Sequence, residues 1–267
     1  MIASLGRNLR DSLLVPLRAC RKHASLLGML VKRDLVSRTS GTLLGKLWPL
    51  LQPALQVLGY WFLFGIVYGM RMSRGEDFPQ YMLIGIMPWL LLMEVLTRSA
   101  GLFREFSALY RRTPFPVELL PILIMVIPGI VHVVILFGLA LAFHGLQAAL
   151  QSLVVIPLLL LWLLPLTLLF SVLGLFLRDF AQALPFVLLL LMYATPILYF
   201  PSMLPEGAQP WLWLNPFSDL VAAIHATVDA TTLDWRGLAR LLGLWLLLLG
   251  PCWAVFRRSV PHVREVL

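Results

Sequence analysis

Charged residues are scarce in this sequence. Only 13% of its 267 residues are charged, whereas an ordinary soluble domain carries about 25%. Together with a hydrophobic content of 60%, this scarcity excludes a soluble globular enzyme and predicts a polytopic membrane protein. Two cysteines, Cys20 and Cys252, are too few for a disulfide framework. The fold must therefore be stabilised by helix packing.

Recognisable catalytic motifs are missing as well. The sequence shows no nucleophile paired with a base, no convergent acidic residues and no residues at metal-ligand spacing. Residues 41–47 resemble a phosphate-binding loop, but three residues separate the glycines instead of four, and Leu47 stands where Ser or Thr would bind magnesium. We interpret this stretch as a flexible hinge with Lys46 as a basic anchor, and expect no nucleotide site or cofactor in this chain. The first 25 residues are basic and interrupted by Pro16, so we expect no cleavable signal peptide.

Long uncharged runs predict an all-α fold with six membrane spans, since about 20 apolar residues cross a bilayer. The segment 1–46 is expected to be a cytoplasmic amphipathic or interface segment, with one helical stripe of leucines and an interfacial helix at 24–40. The stripe consists of Leu5, Leu9, Leu13 and Leu17. The transmembrane domain at 47–267 has predicted spans at about 48–70, 80–97, 119–143, 151–177, 181–199 and 237–256. The fourth span is expected to be kinked by Pro157 or Pro165.

The basic residues predict the orientation of these spans. With both termini in the cytoplasm, 17 of the 21 Lys and Arg residues lie inside and four lie outside. The net charge of +8 is concentrated in short loops, which indicates orientation signals and contacts with anionic lipids rather than nucleic-acid binding. We therefore expect a multi-pass membrane protein with both termini in the cytoplasm.

A short polar island at 98–116 separates two apolar runs. It carries four arginines and Glu105, and it ends in Pro-Phe-Pro. We interpret it as the element through which a separate soluble motor moves the membrane helices, with Phe106 and Tyr110 as an anchor face. Next to it, Glu94 is expected to pair with Arg98, an interpretation favoured over a proton relay.

Two further positions attract attention inside the apolar segments. His132 is alone in the third span and is interpreted as a hydrogen-bonded packing or pore-wall residue. The Arg178-Asp179 pair is predicted to be a tight turn between the fourth and fifth spans.

Aromatic residues are abundant near the predicted spans. Two interpretations stay open: belts at the bilayer interface, or a track of ring faces that lines a channel for a sugar chain. The candidate channel residues are Tyr60, Trp61, Phe64, Tyr68, Trp89, Tyr193 and Tyr199.

Residues 200–236 contain four prolines but are too apolar for a free loop. They predict two short re-entrant helices, the second of which begins at Asn215 as N-cap and Pro216 at its first position.

Motifs in a fixed order across the chain resemble the membrane subunits of ABC-2 type exporters, specifically the permeases that export polysaccharides such as lipid-linked O antigen. The residues that carry the resemblance are Lys32-Arg33-Asp34, Arg38, Gly45, Leu47-Trp48-Pro49-Leu50-Leu51-Gln52-Pro53, Gly85-Ile86-Met87-Pro88-Trp89, Glu94, Tyr110-Arg111-Arg112-Thr113-Pro114-Phe115-Pro116, Arg178-Asp179, Thr195-Pro196-Ile197-Leu198-Tyr199 and Asn215-Pro216. Thr113 departs from the pattern, because relatives often carry a bulky apolar residue there.

The resemblance implies a homodimer of this chain with two ATP-binding subunits, which hold the ATP and Mg. It also implies a lipid-linked glycan as substrate. The implied contacts with the ATPase are Arg33, Asp34, Arg38, Arg104, Glu105, Phe106, Tyr110, Arg111 and Arg112. The implied outer gate comprises Trp211, Trp213, Asn215 and Pro216.

Other functions remain open alternatives. Within the exporter family, capsule, teichoic acid and drug substrates are not separable from O antigen by these residues. A membrane-embedded glycolipid enzyme would need convergent acids or a nucleophile. An ion-coupled carrier would need paired intramembrane charges or a repeat with broken helices.

Overall fold

The computed structural model is helical throughout the residues it describes. These are residues 11, 14–16, 18–69, 78–112, 115–229, 231 and 234–263, and for 110–112 the backbone alone is described. No strand occurs among them, which confirms the predicted all-α class. The predicted leucine stripe at Leu5, Leu9, Leu13 and Leu17 lies outside the described residues.

The helices follow the apolar segments of the sequence. They are α1 (Ala24–Thr39), α2 (Trp48–Trp61), α3 (Phe78–Glu105), α4 (Ser107–Arg112), α5 (Leu120–Phe176), α6 (Arg178–Tyr193), α7 (Pro216–Val228) and α8 (Trp235–Ser259). A π-helix at Phe62–Val67 extends α2, and short 3-10 helices lie at Gly45–Leu47, Val117–Leu119, Pro201–Met203, Gln209–Leu214 and Val260–His262. Four helical stretches in the described ranges are long and apolar enough to cross a membrane: Gly45–Val67, Phe78–Leu109, Val117–Phe176 and Trp235–His262.

Helix α5 is a hairpin of two arms. Gly145 interrupts it with φ of 84°, a backbone conformation that glycine adopts without the clash of a Cβ atom. A Cβ atom added to Gly129 would lie 2.7 Å from Cδ1 of Leu160, and these two residues are almost equally far from Gly145 along the chain. The arms therefore reverse at Gly145 and pack side by side. The second arm begins directly after this glycine, so the start predicted near 151 is too late.

Helix α3 lies at the centre of the bundle and packs closely against α5. A Cβ atom on Gly174 would lie 1.9 Å from the backbone oxygen of Ala100, so the two backbones touch at a point where only glycine fits. Trp89 and Phe103 of α3 are among the largest fully buried side chains. Phe103 stacks on Phe256 of α8, with 5.9 Å between the ring centroids.

Two of the predicted helix boundaries need correction, the end of α3 and the start of α6. Helix α3 continues to Glu105, so the helix of the second predicted span does not end at 97, and residues 98–105 and 107–112 of the polar island are helical. Arg178 and Asp179 are not a tight turn but the first residues of α6, because the chain leaves helical geometry at Leu177. Asp179 at that helix start is favourable, since a helix N-terminus carries partial positive charge.

A tryptophan in α8 supplies the hydrogen bond that a proline removes from α5. Pro165 has no N–H, so the carbonyl of Leu161 loses its partner within the helix. Nε1 of Trp245 donates to that carbonyl at 2.9 Å, and Nε1 of Trp162 donates in the other direction to the carbonyl of Leu241 at 3.3 Å. The two indoles hold the second arm of α5 against α8.

Candidate functional site

Five charged side chains from α1 and α3 form one connected group, called here the ion-pair cluster. Its members are Asp34 and Arg38 of α1 and Glu94, Arg98 and Glu105 of α3. Arg98 donates from Nη1 to Oδ2 of Asp34 at 2.9 Å and from Nε to Oε2 of Glu105 at 3.1 Å. Nη1 of Arg38 donates to Oε1 of Glu94 at 3.0 Å, and its Nε lies 3.5 Å from Oδ2 of Asp34. The cluster ties α1 to α3.

Asp34 is the buried member of this cluster. Its side chain is 2% exposed, and that of Arg98 is 11% exposed. A carboxylate removed from water is tolerated only when a partner compensates its lost hydration, and the two-pronged contact of Arg98 with both Asp34 oxygens supplies that partner. The predicted pair of Glu94 with Arg98 is wrong, because Glu94 binds Arg38 instead.

The predicted coupling residues before and after the cluster differ in their surroundings. Arg33 is exposed on α1, and Arg104 is exposed on α3 while its Nη2 donates to the carbonyl of Gly174 at 2.9 Å. Arg104 therefore supports the contact between α3 and the second arm of α5.

The predicted anchor face at the end of α3 is wrong for one of its two rings. Phe106 is 5% exposed, and Cζ of Arg98 lies 5.7 Å from the centre of its ring. The ring is already covered by this chain and presents no face to a partner. The side chain of Tyr110 lies outside the described residues, as do those of Arg111 and Arg112, and so does Thr113 entirely.

A polar cavity of about 640 Å³ lies between α2, α3 and the first arm of α5. We call it the inner cavity. Its polar lining comes from Arg38, Gln52, Gln56, Glu94, Thr97, Arg98 and His132. Because Arg38, Glu94 and Arg98 belong to both, the cavity and the ion-pair cluster form one continuous site. Sequence spacing does not reveal this cavity, since its walls come from four separate segments.

His132 lies at the inner wall of this cavity and is 1% exposed. Its Nδ1 lies 2.9 Å from the carbonyl of Pro128, one turn earlier on α5. This contact confirms the predicted hydrogen-bonded packing role. Its other ring nitrogen, Nε2, has no hydrogen-bond partner within the described part of the chain.

The predicted channel aromatics on α2 do not all have the same surroundings. Trp61 and Tyr68 are exposed, whereas Tyr60 and Phe64 are partly covered by other helices. The segment Phe62–Val67 is π-helical, so the spacing rules of an α-helix do not hold between them.

Among the other channel candidates, Trp89 is wrongly assigned. It is 2% exposed and packs edge-on against Phe217 of α7, with 5.6 Å between ring centroids. It therefore belongs to the core. Tyr193 is exposed and Tyr199 is half-buried, so both stay channel candidates.

Six rings form a continuous ladder from the end of α2 to α7. The neighbouring centroids are 4.0 to 5.9 Å apart, and the most parallel pair is Tyr81 and His225, with 6° between the planes. In order, the rings are Tyr68, Phe64, Phe78, Phe200, Tyr81 and His225. The ladder joins α2 and α3 to the segment that follows α6, and sequence spacing does not reveal it because its members come from distant segments.

The segment after α6 contains two 3-10 helices and then α7, and the re-entrant placement of short helices there stays a prediction. The side-chain oxygen of Asn215 accepts from the N–H of Phe217 at 3.0 Å, and Pro216 begins α7, which confirms the predicted N-cap and first position. Nδ2 of Asn215 also donates to Oγ1 of Thr195 at 2.9 Å and to the carbonyl of Ala194 at 3.2 Å. This amide therefore links the start of α7 to the end of α6.

The two tryptophans before α7 are exposed, but one of them, Trp213, contacts Arg240 of α8. Trp211 has an open ring, whereas Cζ of Arg240 lies 5.1 Å from the ring of Trp213. Arg240 also donates to the carbonyl of Trp213 at 2.9 Å and pairs with Asp219 of α7. These contacts of Arg240 fix the 3-10 helix Gln209–Leu214 and α7 to α8.

Within the described residues, no group of three His, Cys, Asp or Glu side chains could hold a metal ion. The expectation that ATP and Mg bind a partner subunit stays a prediction.

Known proteins of one kind resemble this chain along most of its length. An O-antigen export system permease protein RfbA of Klebsiella pneumoniae is 24% identical over 251 residues, which are 91% of this chain and 95% of the relative. A second Klebsiella pneumoniae protein of the same name is 26% identical and covers 73% of this chain and 77% of the relative. The corresponding permease of Myxococcus xanthus is 29% identical, with coverage of 78% and 82%.

A family model described as ABC-2 type transporter matches residues 25–228. The match runs from the second residue of α1 to the last residue of α7, and it includes the ion-pair cluster, the inner cavity and the aromatic ladder. On this evidence the chain belongs to the ABC-2 type transporter family.

Proposed function

We propose that this chain is the transmembrane subunit of an ATP-driven exporter that moves a lipid-linked, O-antigen-like polysaccharide across the bacterial inner membrane. The observation that carries the proposal is that three permeases named for O-antigen export align with 73%, 78% and 91% of the chain. Resemblance on that scale includes the whole helical bundle rather than one short motif. It supports a transport permease and not an enzyme.

The geometry supports six crossings with both termini in the cytoplasm. The stretch Val117–Phe176 has 60 residues, and at 1.5 Å per residue a straight helix of that length is about three bilayers long. Its reversal at Gly145 divides it into two crossings. Helix α6 has 16 residues, which at that rise extend for about 24 Å, and the turn that follows it completes a short crossing. With α2, α3 and α8, the count is six.

In this orientation, the ion-pair cluster lies at the cytoplasmic side and serves as the coupling element. Helix α1 and the cytoplasmic end of α3 are joined by the buried contact between Asp34 and Arg98. An ATP-binding subunit that pushes on α1 or on α4 therefore moves α3, and with it the second arm of α5 through Arg104 and Gly174. Arg33 and Glu105, both exposed, are available to that subunit.

The complex is proposed to contain two copies of this chain and two ATP-binding subunits. Helices α2 and α6 expose large apolar side chains, among them Leu58, Phe62, Phe186 and Leu190. These surfaces suit lipid or a second copy. Tyr60, Trp61 and Tyr68 on the first surface and Tyr193 on the second would face the glycan if the two surfaces meet across the dimer. The 3-10 helices and α7 are proposed as the outer gate, with Trp211 and Trp213 at its exposed edge.

Gene deletion tests the proposed function. In a host that lacks this gene, we expect surface polysaccharide to disappear and lipid-linked polymer to accumulate inside. The wild-type gene and a Lys46→Ala variant should both restore export, because residues 41–47 hold no nucleotide. Unchanged surface polysaccharide in the deletion strain would show that the chain has another role.

A further inference from the structure

We infer that the inner cavity is a binding subsite for a neutral, hydroxyl-rich glycosyl unit, complete within one copy of the chain. The inference rests on the proposed export of a polysaccharide and adds where a sugar unit is held. The cavity volume of about 640 Å³ lies within the range of about 300–1,000 Å³ found for small-molecule sites. It is distinct from the exposed aromatic residues at the end of α2.

The polar wall on α2 is the first reason. Gln52 and Gln56 are four residues apart and therefore lie on one face of this helix. Helix α2 belongs to a stretch long and apolar enough to cross a membrane, where polar side chains are costly unless they face a cavity or another polar group. Both amides line the inner cavity. Each offers donors and an acceptor, the combination that sugar hydroxyls use.

The unsatisfied nitrogen of His132 is the second reason. A buried polar atom without a partner destabilises the folded state, so its presence calls for an explanation. Since Nδ1 already engages the carbonyl of Pro128, Nε2 is the atom left for a ligand. Because a carbonyl oxygen only accepts, Nδ1 carries the proton, and Nε2 of the neutral ring accepts from a hydroxyl group of a bound sugar.

The charge balance of the adjoining cluster decides between a sugar and a phosphate. Arg38, Arg98 and Glu94 line the cavity, and both guanidinium groups are already paired with the three carboxylates of the ion-pair cluster, whose formal charge is −1. An added anion would have to displace one of these carboxylates from its arginine. A neutral ligand avoids this cost. Glu94 is partly exposed and can accept from a hydroxyl, and the partly exposed indole of Trp48 offers a flat apolar surface.

A cysteine-protection experiment tests occupancy directly. Gln56→Cys is introduced after Cys20→Ser and Cys252→Ala, provided that this background still exports polymer. Inside-out membrane vesicles without ATP are prepared from a strain that makes the polysaccharide and from one that lacks its first glycosyltransferase. A membrane-impermeant maleimide then reports how fast residue 56 is labelled.

We expect rapid labelling in vesicles without polymer and labelling that is about tenfold slower in vesicles with it, because a filled pocket buries most of its ligand and excludes the reagent. Two matched variants are controls. Lys46→Cys lies on the exposed segment before α2 and should be labelled equally in both vesicle types. Leu55→Cys, next to Gln56 but outside the cavity lining, should be labelled in neither, because it lies on the exposed apolar surface of α2, which suits lipid or a second copy of the chain.

Equal labelling of residue 56 in the two vesicle types would overturn the inference while leaving the export function intact, since the deletion test measures export separately. Protection by inorganic pyrophosphate in polymer-free vesicles would overturn it in favour of an anion site. As a second measurement, Gln52→Leu together with Gln56→Leu should lower surface polysaccharide by about tenfold, the effect of about 1.4 kcal/mol in binding. Leu55→Met should not change it. Normal export by the double variant would count against the subsite.

Discussion

Asp34 carries a carboxylate in a place that solvent hardly reaches. Its side chain is held by Arg98 and approached by Arg38, so a charge on α1 depends on side chains from two helices. A buried ion pair of this kind adds little to stability compared with apolar residues, but the loss of one partner is costly. Its value here is specificity, because it fixes how α1 sits on α3.

Replacement of Arg98 alone should therefore destabilise the protein. Arg98→Met leaves Asp34 without its main partner, and breaking a buried pair costs about 3–5 kcal/mol. We expect a clear fall in the thermal stability of the detergent-solubilised protein, measured by size-exclusion chromatography after heating. Lys32→Met, an exposed change on α1, the helix that carries Asp34, is the control. Asp34→Leu combined with Arg98→Met should recover most of the loss, and additive losses in the double variant would speak against the pairing.

Local signals were predictable from sequence at this scale, and contacts between distant residues were not. Asn215 followed by Pro216 specifies a helix start by its own chemistry, and the structure confirms it. Asp34 and Arg98 are 64 residues apart, and no sequence pattern in either segment predicts that the two side chains pair. Phe106 lies in a polar stretch where an aromatic ring is expected to contact a partner protein, yet its ring is buried in the fold.

Helix α3 and the second arm of α5 touch through their backbones. The contact requires glycine at position 174, since a side chain there would meet the backbone oxygen of Ala100 at 1.9 Å. Proposed movement of α3 reaches α5 through this contact and through Arg104.

Gly174→Ala should separate the two helices and lower both thermal stability and export. Gly138→Ala is a matched control on the same helix, because a Cβ atom there meets nothing within 4 Å. In the control, we expect no loss and a gain of up to about 1 kcal/mol, the helix preference of alanine over glycine. Similar stability of the two variants would show that the close contact between α3 and α5 is not needed.

The side chain of Asn215 makes three contacts at the start of α7, with Phe217, Thr195 and Ala194. Asn215→Ala removes the cap of α7, a loss of about 1 kcal/mol, together with the bond to Thr195. We expect leak of ions or small solutes through the membrane of cells that express this variant, with unchanged coupling to ATP hydrolysis. Asn215→Ser keeps a capping oxygen and should largely restore closure. An Asn215→Ala variant that is well expressed and does not leak would identify the segment as a rigid plug rather than a gate.

Hydropathy predicted where the helices are, but less well where they end. Apolar runs locate α2, α3, both arms of α5 and α8, because burial in lipid selects composition. The end of α3 was placed too early because its last turns carry Arg98, Arg104 and Glu105, and tertiary ion pairs and hydrogen bonds make those charges compatible with a packed helix.

The whole chain is proposed to cross the membrane six times, which fixes the sides on which its parts lie. Reporter fusions at Leu267 and within 207–209 should report the cytoplasm and the opposite side, respectively. The physical reason is that this arrangement leaves 17 of 21 basic residues inside. A fusion within 98–116 is the control and should match Leu267. Identical signals from Leu267 and 207–209 would contradict the six-span arrangement.

The most direct measurement of the central claim uses the purified chain and its ATP-binding subunit, reconstituted in liposomes that contain lipid-linked polysaccharide. The assay follows the polymer across the bilayer with and without ATP, and it records ATP hydrolysis. The account predicts transport only when both subunits and ATP are present, and no hydrolysis by this chain alone. Transport by this chain without its partner, or none by the complete complex with ATP, would contradict it.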